Sequence, residues 1–187
     1  MKACILIRHG VTDMAGRFCG HSDPPLNDVG HSQIERAASI LPTAPQVVYT
    51  SDLLRARESA RSLARHFSTP LHVRPGLREI CFGGWEGLSW QEVEQQFPGE
   101  SAAWLERFPA GIIPSGEPYD SFVERVKHET DFLTTQAHSH ALVAVTHGGF
   151  IRTVLTEIYN VPSSRAFRLT AEYGATIDLT QLHFGVV

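Results

Sequence analysis

The sequence predicts an α/β domain built on a parallel sheet, and three observations carry that expectation. Ala3-Cys4-Ile5-Leu6-Ile7 is a short, unbroken apolar run, and Ala141-Leu142-Val143-Ala144-Val145 is a second of the same build. Runs of this length without polar alternation read as strands buried on both faces, as in parallel sheets covered by helices. Segments with helical apolar spacing alternate with short strand-like ones along the chain, the order that βα units produce.

The chain has 187 residues, 42% hydrophobic and 19% charged. That suits a single globular domain spanning residues 1–187 and large enough to bury a full core. No internal repeat, low-complexity segment or linker interrupts it. After the first strand, the loop Val11–Asn27 carries Gly16, Gly20, Pro24 and Pro25, and a polar loop in this place can shape a pocket. Asn27 is placed to cap a helix whose Ile34, Ala37, Ala38 and Leu41 fall at i, i+3, i+4 and i+7, ended by Pro42 and Pro45. Gln46–Tyr49 reads as the second strand. Ser51 or Asp52 then caps a helix turning Ala56, Ala60, Leu63, Ala64 and Phe67 inward.

Leu71–Arg74 reads as a third strand. Ser89 and Glu92 form a capping box for a short helix to Phe97, and a further short helix spans Glu100–Phe108. Pro109–Pro118 has no periodicity, and Ser121 with Glu124 caps a longer helix to about Ala137. The unit from Ala141 to Asn160 is a strand, a His-Gly-Gly turn and a helix with Ile151, Val154, Leu155 and Ile158 on one face. Ala175–Leu179 and Leu182–Val187 read as one or two closing strands.

A formal net charge of −4 argues against a general nucleic-acid binder, which presents a basic surface. Lysine occurs only at Lys2 and Lys127, so the positive charge is almost all arginine, whose planar fork suits phosphate and carboxylate. Cys4, Cys19 and Cys81 form no metal-ligand spacing, and their odd number favours free thiols in a reducing compartment. No long apolar segment suggests a membrane helix, and Met1-Lys2 leads directly into a strand rather than a signal peptide. A cytoplasmic protein is expected.

Both buried-strand runs end in His-Gly: Arg8-His9-Gly10 and Thr146-His147-Gly148-Gly149. In α/β sheets ligands bind at the carboxyl ends of strands, near the point where the winding reverses, so His9 and His147 are expected to face one site. Gly10 would turn the backbone sharply and leave room for a ligand. Arg55 falls in the first turn of the second helix, close to the end of the second strand. Leu77–Gly87 packs Glu79, Glu86, three glycines and Trp85 into a few residues, which means a surface turn or a site.

These motifs resemble the histidine phosphatase superfamily, in the branch that includes the cofactor-dependent phosphoglycerate mutases. The resemblance runs from the first strand to about Leu155. It includes Ser51-x-Leu53-x-Arg55-Ala56 and Leu77-x-Glu79-x-x-Phe82-Gly83-x-Trp85-Glu86-Gly87. It implies a three-layer α/β/α sandwich, helices on both faces of a mostly parallel sheet, and a small irregular cap at about residues 83–118 that sets substrate choice. Aromatics filling a satellite core account for Trp85, Trp90 and Trp104 equally well.

The resemblance also implies roles. His9 attacks phosphorus, Arg8, Arg55 and His147 surround the phosphoryl oxygens, and N–H groups after Gly148-Gly149 assist. Glu79 protonates the leaving alcohol and later deprotonates water. Glu86 is structural, closing the turn or capping the next helix. Many relatives carry an asparagine a few residues after Arg-His-Gly. Here the stretch reads Val11-Thr12-Asp13-Met14-Ala15-Gly16, and Thr12 is the residue that could compensate. His21 lies in the first pocket loop and is a further substrate-binding candidate. His31, His66, His72, His128, His138, His140 and His183 are expected at the surface.

The implied partner is a small-molecule phosphate ester, with no cofactor, no metal, no nucleic acid and no membrane. A homodimer is left open. The short chain and Gly16–Asp23 look most like the α-ribazole phosphatases, with broad-specificity small-molecule phosphatases close behind and a phosphoglycerate mutase as the alternative. Read without the resemblance, His9, His147 and Glu79 could ligate zinc, though Arg8 and Arg55 would repel a cation. A non-catalytic module that binds phospholigands is the remaining alternative.

Overall fold

A computed structural model describes residues 1–182 of the chain. In order, the elements are β1 (Cys4–Arg8), α1 (Asp28–Ser39), β2 (Val47–Thr50), α2 (Leu54–Phe67), β3 (Leu71–Val73), α3 (Trp90–Gln96) and α4 (Pro98–Glu106). They continue through α5 (Tyr119–Gln136), β4 (Leu142–Thr146), α6 (Gly148–Thr153), α7 (Ser163–Leu169) and β5 (Thr176–Asp178). The sheet runs β3-β2-β4-β1-β5. Every pairing is parallel except that of β5 with β1. The first of the expected closing strands is β5; the part of the second from His183 onward lies outside the described residues.

Helices cover both faces. On one, Ile34 and Ala38 of α1 and Ala56, Ala60 and Leu63 of α2 pack on Ile5, Ile7, Val48, Val143 and Val145. On the other, Phe122, Val126 and Leu133 of α5, Phe150 and Ile151 of α6 and Ala166 of α7 pack on Cys4, Leu6, Tyr49 and Ala144. Alternate residues of the same strand thus serve opposite cores, which is why β1 and β4 read as continuous apolar runs. β1 is followed by a helix on the first face and its neighbour β4 by a helix on the second. The crevice between their carboxyl ends is therefore a switch point of the winding. Arg8 is opposite Thr146 in the register, and the His9 N–H donates to Thr146 O at 2.9 Å, so the two His-Gly turns leave the sheet side by side.

Helix starts differ from the expectations where tertiary contacts claim the capping side chains. Asn27 caps α1, accepting from Gly30 N at 2.9 Å, and Ser89 with Glu92 closes the capping box of α3. At α2 neither Ser51 nor Asp52 is the cap. Leu53 occupies that position, Ser51 turns to His147, and Asp52 pairs with Arg78. The free N–H of Leu54 is instead met by Asp23 from the first loop. α5 begins at Tyr119 behind Pro118, so Ser121 and Glu124 lie inside the helix. α4 begins two residues before the expected Glu100, with Pro98 at its first position, where a missing N–H costs nothing. α7 was not anticipated. α6 continues through a π-turn, Val154–Ile158, and Asn160 follows with a positive φ of 52°.

The excursion over residues 83–118 forms an irregular cap with its own small core. Trp85, Val93 and Ile113 are buried there, with Phe18, Phe82, Trp90, Phe97 and Trp104 packed around them. Phe18 ties the first loop to this core, its N–H donating to Leu88 O and its carbonyl accepting from Gly87 N, both at 2.8 Å. No helix among the described residues is long and apolar enough to cross a membrane.

Packing makes the two isoleucines of the α1 region unequal. Ile34→Ala is expected to lower the unfolding free energy by about 2–4 kcal/mol, through lost transfer energy and a residual cavity. Ile40→Ala, at a residue 69% exposed, should stay within about 0.5 kcal/mol of wild type. Urea denaturation of both variants checks the contrast.

Candidate active site

The site is built at the carboxyl ends of β1 and β4. His9 and His147 are buried, with ring centroids 5.0 Å apart. His9 Nδ1 lies 2.7 Å from Gly10 O. A carbonyl only accepts, so Nδ1 carries the proton in the neutral ring. The lone pair is then on Nε2, which accepts from Arg55 Nε at 3.2 Å. His147 Nε2 lies 2.8 Å from Ser51 Oγ, and its Nδ1 is buried without a hydrogen-bond partner. Burial first, and the Arg55 charge second, hold both imidazoles well below the ordinary histidine value. Both rings are therefore neutral at pH 7.

Arg55 is fully buried, yet it makes no ion pair among the described residues. Besides His9, it donates to Ser22 O at 2.7 Å and, through Nη2, to Cys19 O at 3.0 Å and Gly20 O at 2.8 Å. Four of its five N–H groups thus have protein acceptors. What it offers a ligand is chiefly charge. Arg8 spends Nη1 on Thr170 O and Ala171 O, both at 2.8 Å, and its guanidinium lies 3.8 Å over the Tyr173 ring. Its Nε is buried with no partner.

Glu79 is buried on a segment without regular secondary structure. One carboxylate oxygen accepts from Gly149 N at 2.8 Å and the other from Ile80 N at 3.0 Å. The first N–H groups of α6 are therefore not all free for a ligand, as the resemblance had implied. A Cβ on Gly149 would fall 2.1 Å from Glu79 Oε1, so glycine is required there by the carboxylate. Arg125 of α5 fastens the backbone below, donating to Gly76 O at 2.8 Å and Arg78 O at 2.9 Å. It is itself held by Glu117.

The remaining expected residues divide. Gly10 does not leave space for a ligand: a Cβ there would meet Gly30 O at 2.3 Å, so the position admits the close approach of α1. Thr12 is buried, and its hydroxyl oxygen accepts from Met14 N at 3.3 Å, a turn contact. Gly148 begins α6. His21 is half-buried, with Nε2 unpartnered and its N–H donated to Glu86. Glu86 is structural, as expected: its carboxylate accepts from the N–H groups of Gly20, His21, Ser22 and Phe82 and from the Ser22 hydroxyl. Burial opposes its charge, but these donors outweigh it and hold the carboxyl below its ordinary value. The other histidines within the described residues are exposed; His183 lies outside them.

Three residues of the site escaped the sequence reading. Ser51 looked like a helix cap, and only its contact with His147 gives it a place here. Tyr173 lies in the turn between α7 and β5, against both Arg8 and His9, in a stretch with no periodic signal. Arg152 sits one helical turn beyond Gly148, a spacing the sequence did contain. Beside Gly149 and Arg152, a cavity of about 250 Å³ opens between the cap and the α6–α7 region, lined with Phe82, Trp104, Phe108, Ile113 and Phe167.

Comparison with known proteins agrees with this geometry. The family model of the histidine phosphatase superfamily (branch 1) matches residues 4–185. The adenosylcobalamin/α-ribazole phosphatase of Salmonella typhimurium is 28% identical over 181 residues, 94% of this chain and 90% of that protein. The metal-independent phosphoserine phosphatase of Arabidopsis thaliana is 31% identical over 166 residues, 86% of this chain and 70% of that one. The α-ribazole phosphatase structure from Shigella flexneri superposes with a TM-score of 0.81 at 25% identity and covers 98% of both chains.

The depressed imidazoles set a direction for stability. Each folded-state value lies below the ordinary one near 6.5, so the unfolded chain takes up these protons first as the pH falls. Stability is therefore retained above about pH 6.5 and lost below it, at most about 1.4 kcal/mol per pH unit for each ring. The double variant His9→Gln/His147→Gln should lose less stability than wild type between about pH 7 and about pH 5, in urea unfolding across that range.

Proposed function

That this chain belongs to the histidine phosphatase superfamily is the premise from which we propose a metal-independent phosphomonoesterase acting through a phosphohistidine at His9. The chain is a phosphatase of small phosphate esters, as its relatives are named. The observation that carries the mechanism is the tautomer of His9. With Nδ1–H bound to Gly10 O, the Nε2 lone pair is held toward the cations, ready to attack phosphorus in line. The guanidinium charges of Arg8 and Arg55 beside His9 disfavour the zinc alternative, because they would repel a cation.

In the first step the His9 Nε2–phosphorus bond forms and the ester P–O bond breaks. The Arg8 and Arg55 charges and the unpartnered Nδ1 of His147 stand where the phosphoryl oxygens carry their charge. Glu79, acting as the general acid, passes a proton to the leaving alcohol oxygen. In the second step Glu79 takes a proton from water as the water oxygen attacks phosphorus, and orthophosphate leaves neutral His9 behind. The Gly149 N–H fixes the carboxylate through both steps.

The substrate we assign is α-ribazole 5′-phosphate. Its benzimidazole ring suits the aromatic cavity beside Gly149, and its ribose carries the ester that would reach His9. A broader set of small esters fits the same reading.

Phosphate release in the presence of a chelator, from α-ribazole 5′-phosphate, 3-phosphoglycerate and phenyl phosphate, tests both levels. Wild type is expected to turn over the first best. His9→Ala should abolish release, and Glu79→Gln should lower kcat by about 10²- to 10⁴-fold, the usual range for a positioned acid–base. Full activity of His9→Ala would refute the mechanism.

A further inference from the structure

Arg152 is a cation without a counter-ion. It is half-buried on α6, and among the described residues it makes no ion pair. Its one side-chain hydrogen bond among them is a long one, Nη1 to Thr170 Oγ1 at 3.4 Å, and its guanidinium lies 4.8 Å from the Phe167 ring. Burial lowers its pKa, as does the Arg8 charge, while Glu79 acts in the other direction. A half-buried guanidinium with most of its donors unspent is free to receive an oxygen acceptor from a ligand.

Its place says what the ligand would offer. A Cβ built on Gly148 would meet Arg152 Nη1 at 3.1 Å and Arg8 Nε at 3.3 Å, so two guanidiniums converge over that residue. Arg152 also lines the aromatic cavity together with Gly149. It therefore stands between the phosphoryl end of the site and the apolar end. The phosphoryl group already has Arg8 and Arg55, and Arg152 is the arginine that lines the cavity.

Resting on the phosphatase reading, we propose that Arg152 binds the leaving alcohol, receiving an oxygen acceptor carried one or two carbons from the ester while the apolar remainder enters the cavity. Such an acceptor is the ring or hydroxyl oxygen of a pentose, or the carboxylate of a small phospho acid. A simple aryl phosphate has none. Arg152 is on this account a specificity-determining residue rather than a further phosphoryl ligand.

The Arg152→Met variant keeps the stem against Phe167 and removes the donors. The readout is kcat/KM for α-ribazole 5′-phosphate and for 3-phosphoglycerate, each divided by that for phenyl phosphate. At least one ratio is expected to fall about 10- to 100-fold, as for loss of a hydrogen bond to a charged group. The larger fall identifies pentose or carboxylate as the acceptor. Ratios that stay unchanged overturn the proposal, including the case where all three substrates decline together. If wild type hydrolyses none of them, the phosphatase reading itself fails. The proposal is then decided by thermal shift: stabilisation by either acceptor-bearing ester that Arg152→Met loses supports it, and equal shifts in both proteins overturn it.

Discussion

A guanidinium sealed inside the domain, with no carboxylate among the described residues to meet it, is the constraint around which this molecule is arranged. Arg55 is fully buried, and the acceptors that hold it are Cys19, Gly20 and Ser22 carbonyls and a neutral imidazole. Carbonyl dipoles satisfy its N–H groups without cancelling its charge. The first loop must therefore close over α2. Glu86 draws the same loop to the start of the cap by accepting the Gly20, His21 and Ser22 N–H groups together with that of Phe82. Loop, cap and α2 form one connected assembly because a buried cation needs each of these neighbours.

That residual charge governs the titratable groups around it. Burial and Arg55 together keep His9 and His147 neutral. The positive charge beside these rings therefore belongs to the guanidiniums, Arg8 and Arg55, and not to the imidazoles. Glu79 is kept at the edge of this set by the Gly149 N–H, and Arg125 clamps the backbone just before it at Gly76 and Arg78.

The apolar end of the site follows from packing rather than charge. The cap has a core of its own around Trp85, so it can stand beside the sheet without filling the space next to α6 and α7. Phe108 of the cap and Phe167 of α7 bring their rings to 6.0 Å across that space. The walls of the cavity thus come from parts of the chain that share no motif, while its floor at Gly149 belongs to the strongest motif in the sequence.

Residue pattern alone was enough to place the buried strands, their His-Gly ends and the meeting of His9 with His147. Continuous apolar runs and local motifs are properties of neighbouring residues. The Arg55 and Glu79 motifs were legible for the same reason, and so were the caps at Asn27 and Ser89, whose partners lie within three residues. Folding in three dimensions was needed to send Ser51 to His147 instead of α2, to bring Asp23 in as the missing cap, and to reserve Gly10 for α1 rather than for a ligand. It also decided that Tyr173 and Arg152 join Arg8. Each of these depends on contact between segments tens of residues apart, which residue spacing does not encode. They are settled only when the two faces of the sheet have been covered and the competing polar groups have found their partners.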